Sequence, residues 1–255
     1  MNWGLIPNCI GCSAMIKAVI ALAVVVVLAS SCAMAPVGTP GPAADALADR
    51  IESAVNLRAW NELGVVSWSF RGSHHWLWDR FRSVVRVTDD DGAVFIDTWD
   101  HSGLVFDARG NAVVGRAADE RVRKAWAFFV NDSFWLNPFA SLRSPGARRE
   151  LVELDGATAL LIRFDSGGVT PGDSYAFFVD EGGLPRCFRL WVQELPLQGL
   201  EISFENWVDV DGARLALSHH YRGFNLSTGP VTGAHMLRGV GIDDDPFVAL
   251  LARRR

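Results

Sequence analysis

Between residues 151 and 242 the chain is a succession of short β-rich runs, at 151–154, 158–164, 174–179, 186–192, 200–208, 214–221 and 234–242, separated by DG, SGG, EGG, PLQG, DVDG and STGP turns. Connections this short join only antiparallel neighbours, because a parallel return needs a crossover of a dozen residues or more. This half of the chain is therefore constrained to an antiparallel meander. Leu160, Ile162 and Phe164 alternate with Leu161 and Arg163, and Leu200, Ile202 and Phe204 with Glu201, Ser203 and Glu205. Alternation with a period of two predicts a sheet with one dry and one wet face.

The first half has the same grammar with helices added. Val66, Trp68 and Phe70 alternate with Ser67 and Ser69, and Trp76 and Trp78 share a parity. Runs at 81–88 and 93–99 flank Asp90-Asp91-Gly92, a strong hairpin signal, and a strand at 104–107 turns at Arg109-Gly110-Asn111. Helical spacing places Leu47, Ile51, Ala54 and Val55 on one face of a helix over 45–63. A second helix over 118–130 carries Ala118, Val122, Ala125, Trp126 and Phe129 on its apolar stripe. Asn131 and Asp132 are expected to end it, before an irregular aromatic stretch at 133–146. The fold class is mostly β, α+β, as one domain of about eleven strands in a single antiparallel sheet with two helices.

The amino terminus reads as an address. Residues 18–29 are AVIALAVVVVLA, uncharged and apolar, too short for a spanning helix and the right length for the core of a signal peptide. Lys17 precedes the run, and LASSC follows it and resembles a bacterial lipobox. The resemblance implies a signal peptide over 1–31 and Cys32 as the lipid-bearing first residue of the mature chain. If translation starts at Met15, the leader is compact and Cys9 and Cys12 are never made. A proline- and glycine-rich stretch over 32–44 is expected to act as a tether, leaving 45–255 as the β domain. Ala33 after the cysteine, where Asp is associated with inner-membrane retention, points to an outer-membrane lipoprotein facing the periplasm.

The order helix, strands, helix, irregular loop and long meander behind a lipobox resembles the LolA/LolB type of periplasmic lipoprotein carrier. SFRGSHHWLWDR, NDSFWLNPFASLRSPG and GVTPGDSYAFFVDEGGLPRCFRLWV resemble an uncharacterised bacterial lipoprotein family near that superfamily. The resemblance implies a strongly curved, half-open barrel whose concave side is covered by the two helices. It also implies a cavity for an acyl chain.

Ten tryptophans against two tyrosines give that expectation its residues. Trp68, Phe70, Trp78, Phe95, Trp99, Trp191 and Trp207 are the candidate wall, and Trp126, Phe129 and Trp135 the candidate lid; the plain alternative is that they are ordinary core. The expected ligand is a lipid or the acyl chain of a lipoprotein, bound without covalent chemistry or cofactor. Two other readings remain: a structural or assembly lipoprotein whose aromatic surface docks another envelope protein, and a metal-dependent hydrolase. The hydrolase would use His75, His101 and His219, with Asp79 as a further weak ligand, although no zinc-binding spacing is present. Asp79 is better placed to pair with Arg80 or Arg82, or to fix a turn.

Other chemistry finds no support in the residues. A net charge of −5 offers no basic field to nucleic acid. Neither G-x-S-x-G nor a P-loop occurs, and the pairs Gly167-Gly168, Pro171-Gly172 and Gly182-Gly183 read as turns because no helix follows them. Cys187 lies in an expected strand, and Arg253, Arg254 and Arg255 are expected to form a solvated tail.

Overall fold

A computed structural model describes residues 34–166, 172–192 and 199–254. The leader, Cys32, Gly167, Gly168, Pro171 and Arg255 lie outside the described residues.

The first element among the described residues is β1 (Thr39–Pro40), followed by α1 (Pro42–Ala54) and α2 (Leu57–Glu62). Successive hairpins give β2 (Val65–Phe70), β3 (His74–Asp79), β4 (Val84–Asp89), β5 (Gly92–Asp97) and β6 (Gly103–Asp107), and β7 (Ala112–Val113) leads into α3 (Arg116–Leu136). After a 3-10 turn at Pro138–Ser141 come β8 (Ala147–Leu154), β9 (Ala157–Phe164), β10 (Ser174–Val179) and β11 (Pro185–Trp191). The remaining strands are β12 (Leu200–Ser203), β13 (Glu205–Val210), β14 (Ala213–Tyr221), β15 (Phe224–Ser227) and β16 (Val231–Ala234). A 3-10 turn at Leu237–Val240 and the short α4 (Val248–Leu251) close the described chain.

The fold is mostly β, in three antiparallel sheets. The described strands number 16, more than the eleven expected, because short pieces such as β1 and β7 escape sequence patterning, the strand expected over 200–208 is divided, and β15 and β16 flank the STGP turn. One sheet orders β1-β8-β9-β10-β11-β12, one β13-β14-β15, and one β16-β2-β3-β4-β5-β6-β7. Two strands tie the three together. Residues 200–210 pair first with β11 and then, past Phe204, with β14. Residues 224–234 pair first with β14 and then with β2, where the Arg71 and Ser69 amides donate to the Ser227 and Pro230 carbonyls and carry the ladder across the switch.

The helices differ from the expected pair for local reasons. Pro42 in the first turn has its φ already set for a helix, so α1 starts three residues before the expected Asp45. The single helix expected over 45–63 breaks at Asn56. Its backbone is left-handed (φ 50°), its side-chain oxygen accepts from the Ala59 amide at the start of α2, and its Nδ2 donates to Gly212 O at 2.8 Å. Helix α3 runs on to Leu136, six residues past the expected end, since its buried stripe of Ala125, Phe129, Asp132 and Leu136 continues without interruption. From Pro36 onwards the stretch expected as a tether lies along β8: the Gly38 amide donates to Glu150, Arg163 donates to Pro36 O, and β1 pairs with β8.

Both faces of the seven-stranded sheet are covered, and part of the second face of the six-stranded one is buried, while residues 200–205 keep the expected alternation with Ile202 and Phe204 buried and Glu201 and Glu205 exposed. Helix α3 packs on one face of the seven-stranded sheet, over Trp68, Trp76, Val85, Val94 and Ile96. The opposite face, with Leu77, Val84 and Phe95, lies under Phe247 and Leu250. The strand expected over 234–242 is therefore mostly a covering segment, and Arg254 is no free tail: it pairs with Asp97 and donates to Ser83 O. In the six-stranded sheet Leu160, Ile162, Phe177 and Phe188 pack under α1 and Phe139. Its other face buries Leu161, Ala176 and Phe178.

Candidate functional site

The expected wall and lid meet in only one place. Trp68, Phe70 and Trp78 project from β2 and β3 toward α3, where Trp126 and Phe129 come down onto them. Phe129 lies 6.4 Å from Trp68, 5.0 Å from Trp78 and 5.6 Å from Trp126, ring centre to ring centre, and Trp76 joins at 5.5 Å. Rings this close fill the space between helix and sheet, so wall and lid here form a packed core. Sequence parity had paired Trp76 with Trp78 without placing it in the wall; it is 1% exposed.

The other wall residues lie elsewhere. Val94 and Ile96 face α3, so Phe95 between them faces the opposite side, against Phe106 and Phe247. Trp99 sits after β5 in the connection to β6 and is 87% exposed. Trp191, next to the inward Leu190, turns to the back of the six-stranded sheet with Phe178. Trp207 and Trp135 belong to the second core: Trp207 stacks near Phe139 and Phe204, and Trp135 touches Phe188.

The histidines do not converge. His75 is exposed on β3, His101 stacks on Trp126 at 4.0 Å, and His219 is buried between Trp135 and Phe204. Among the described residues no three His, Cys, Asp or Glu side chains group closely enough to hold a metal ion. Asp79 fixes the β3–β4 turn instead, accepting from the Arg82 amide at 3.0 Å and from Arg82 Nε at 2.7 Å. Burial pushes the His219 imidazole down to about 4, opposed in part by the backbone groups of Ser203 and Trp135 beside the ring. Burial also raises the Cys187 thiol on β11.

A buried carboxylate that sequence reasoning missed joins α3 to β3. Asp132 is 1% exposed, and its Oδ2 accepts from His74 Nδ1 at 2.7 Å and from Trp76 Nε1 at 2.9 Å. Asn131 Nδ2 donates to Oδ1 at 2.9 Å. Burial raises the Asp132 pKa, and the three donors oppose that rise. His74 in turn lies between Phe70 and Phe128, 4.6 Å from the Phe128 ring. The available signal was a carboxylate three residues after Phe129, on the buried side of the helical stripe.

Two openings lie at the surface, the second of them beside this region. A groove of about 620 Å³ along α1 and α2 is lined by polar and charged side chains, among them Asp49, Glu52, Asn61 and Glu62. A second, of about 320 Å³, lies between α3 and the β4–β5 hairpin. Val87, Val94, Ala125 and Phe128 form its apolar part, and Asp89, Asp91, Arg121 and Lys124 its charged part. Val87, Val94 and Ala125 belong to the core beneath α3, so this opening reaches the packed wall from the side. Arg121 is held there by Phe106 O at 3.3 Å and by Asp89 at 3.9 Å.

Neither a family model nor a curated protein matches the chain. Among solved structures, the crystal structure of a DUF1329 family protein from Desulfovibrio piger is similar over 78% of this chain and 95% of its own, at 11% identity and a TM-score of 0.40.

Proposed function

We propose that this chain is a lipid-anchored protein of the bacterial envelope that binds the acyl chain of a lipid or lipoprotein between α3 and the seven-stranded sheet, without covalent chemistry. The LASSC sequence supports anchoring through Cys32 at the periplasmic face of the outer membrane. The three linked sheets are read as one half-open barrel of the LolA kind, with α1 and α3 on its concave side. The observation that carries the reading is the side opening of about 320 Å³, whose apolar floor is continuous with the core under α3. An acyl chain entering there would meet Val87, Val94 and Phe128, and would extend further only as α3 lifts from Trp68 and Trp78.

Burial of each methylene is worth about 0.8 kcal/mol, so each added CH2 should tighten binding about fourfold until the site is full. Titration of the protein with brominated single-chain amphiphiles of increasing length, read by tryptophan quenching, should show that slope and then a plateau. Absence of quenching at every length sinks the acyl-chain reading. In the same preparation, palmitate labelling should disappear in Cys32→Ala, and labelling that persists removes the anchor. Trp99, large, apolar and exposed, favours a second reading as a docking lipoprotein for another envelope protein. A protein that quenches with no amphiphile would leave that one standing.

A further inference from the structure

The side opening carries charge of both signs in a definite arrangement. Arg121 and Lys124 approach it from α3, and Asp89 and Asp91 from the β4–β5 hairpin across the apolar floor. Asp89 Oδ1 takes the Asp91 amide at 2.9 Å and lies 3.9 Å from Arg121. Among the described residues, the Lys124 ammonium and the Asp91 carboxylate have no ion-pair partner; Lys124 Nζ stands 5.4 Å from the centre of the Phe128 ring. The opening thus offers one uncommitted cation on the helix side and one uncommitted anion on the hairpin side, above Val87, Val94 and Phe128.

We infer that the opening takes an amphiphile with a zwitterionic head, a phosphodiester beside Lys124 and Arg121 and a primary ammonium beside Asp91 and Asp89, with its acyl chain on the apolar floor. This rests on the acyl-chain reading above and adds the chemistry of the head. A purely anionic head would gain the two cations and face two carboxylates across the opening. A purely cationic head would meet the reverse, and an uncharged head would leave both free charges without partners. Only a head carrying both signs is complementary to every charged side chain at the mouth.

The test uses four amphiphiles with the same dodecyl chain: dodecyl phosphoethanolamine, dodecyl phosphate, dodecylamine and dodecyl maltoside, each below its micellar range. The phosphoethanolamine should bind about tenfold more tightly than the maltoside, the magnitude expected of two partly exposed charge pairs. Lys124→Ala and Asp91→Ala should each cut that preference to about threefold, read within each variant as the ratio of phosphoethanolamine to maltoside affinity. Equal binding of all four heads, or a preference indifferent to both variants, overturns the head-group inference while the acyl-chain reading stands. Failure of all four to bind overturns both.

Discussion

The imidazole of His219 is buried between Trp135 and Phe204, so its charged form is costly and its pKa falls to about 4. Its folded value lies below the ordinary 6.5, so the unfolded chain takes up the proton first as pH drops. The stability it contributes is complete above about 6.5 and is lost as pH falls toward 4, about 3 kcal/mol in all. Asp132 acts in the opposite sense: burial raises its folded value, so its carboxylate costs stability as pH rises through that value and the cost is relieved in acid. His219→Leu keeps an apolar side chain at the site and removes the titration. We predict that urea unfolding at about pH 7 and about pH 4.5 shows a smaller acid loss in His219→Leu than in the parent. An equal loss in both proteins refutes the assignment. Neither group was legible as buried in the sequence. His219 stood in an adjacent pair whose facing depends on the strand, and Asp132 is satisfied by His74 and Trp76, 58 and 56 residues away.

At the scale of elements, hairpins were legible and helix ends were not. The turn between β4 and β5 lies at Asp90-Asp91 with Asp89 paired to Gly92, because a tight turn is specified by residues in sequence contact. Asn131-Asp132 looks like a stop signal for the opposite reason: the choice between cap and buried helical position is made by β3, which supplies the donors. The seating of α3 on the sheet depends on Gly103 of β6. A Cβ there would fall 2.6 Å from Phe95 O and 2.7 Å from Val122 Cγ2 of the helix. Gly103→Ala should therefore push α3 outward and cost about 1–3 kcal/mol in denaturant unfolding, with faster hydrogen exchange along α3. Unchanged stability and protection would mean that the helix is less closely seated than these distances require.

At the scale of the molecule, the meander was legible and its division was not, because a strand that changes partner midway keeps its alternation and leaves no mark in the sequence. Residues 200–210 do this, while residues 224–234 change partner at the Thr228-Gly229-Pro230 break that reads as a turn, and together they set the three-stranded sheet between the two larger ones. Val210, Ala213 and Leu215 of that small sheet enter the core under α3, while Ala216 enters the core under α1. Of the ten expected wall and lid residues, Trp135 alone packs against both cores, reaching Phe188 and His219 from the last turn of α3. Two cores joined through Trp135, the smaller Leu57 of α2 and a thin sheet should unfold together only while that joint holds. Trp135→Ala removes the ring, at a cost below the about 3–5 kcal/mol of a fully buried aromatic because Trp135 is only partly buried. In the parent, tryptophan fluorescence and far-ultraviolet circular dichroism should follow one coincident denaturant transition. In Trp135→Ala the two signals should separate, since most of the tryptophan rings lie on the α3 side and the strands are shared between both cores. Coincident curves in the variant would show that the Trp135 ring is not needed to couple the cores, which Leu57 and residues 200–210 and 224–234 then join without it.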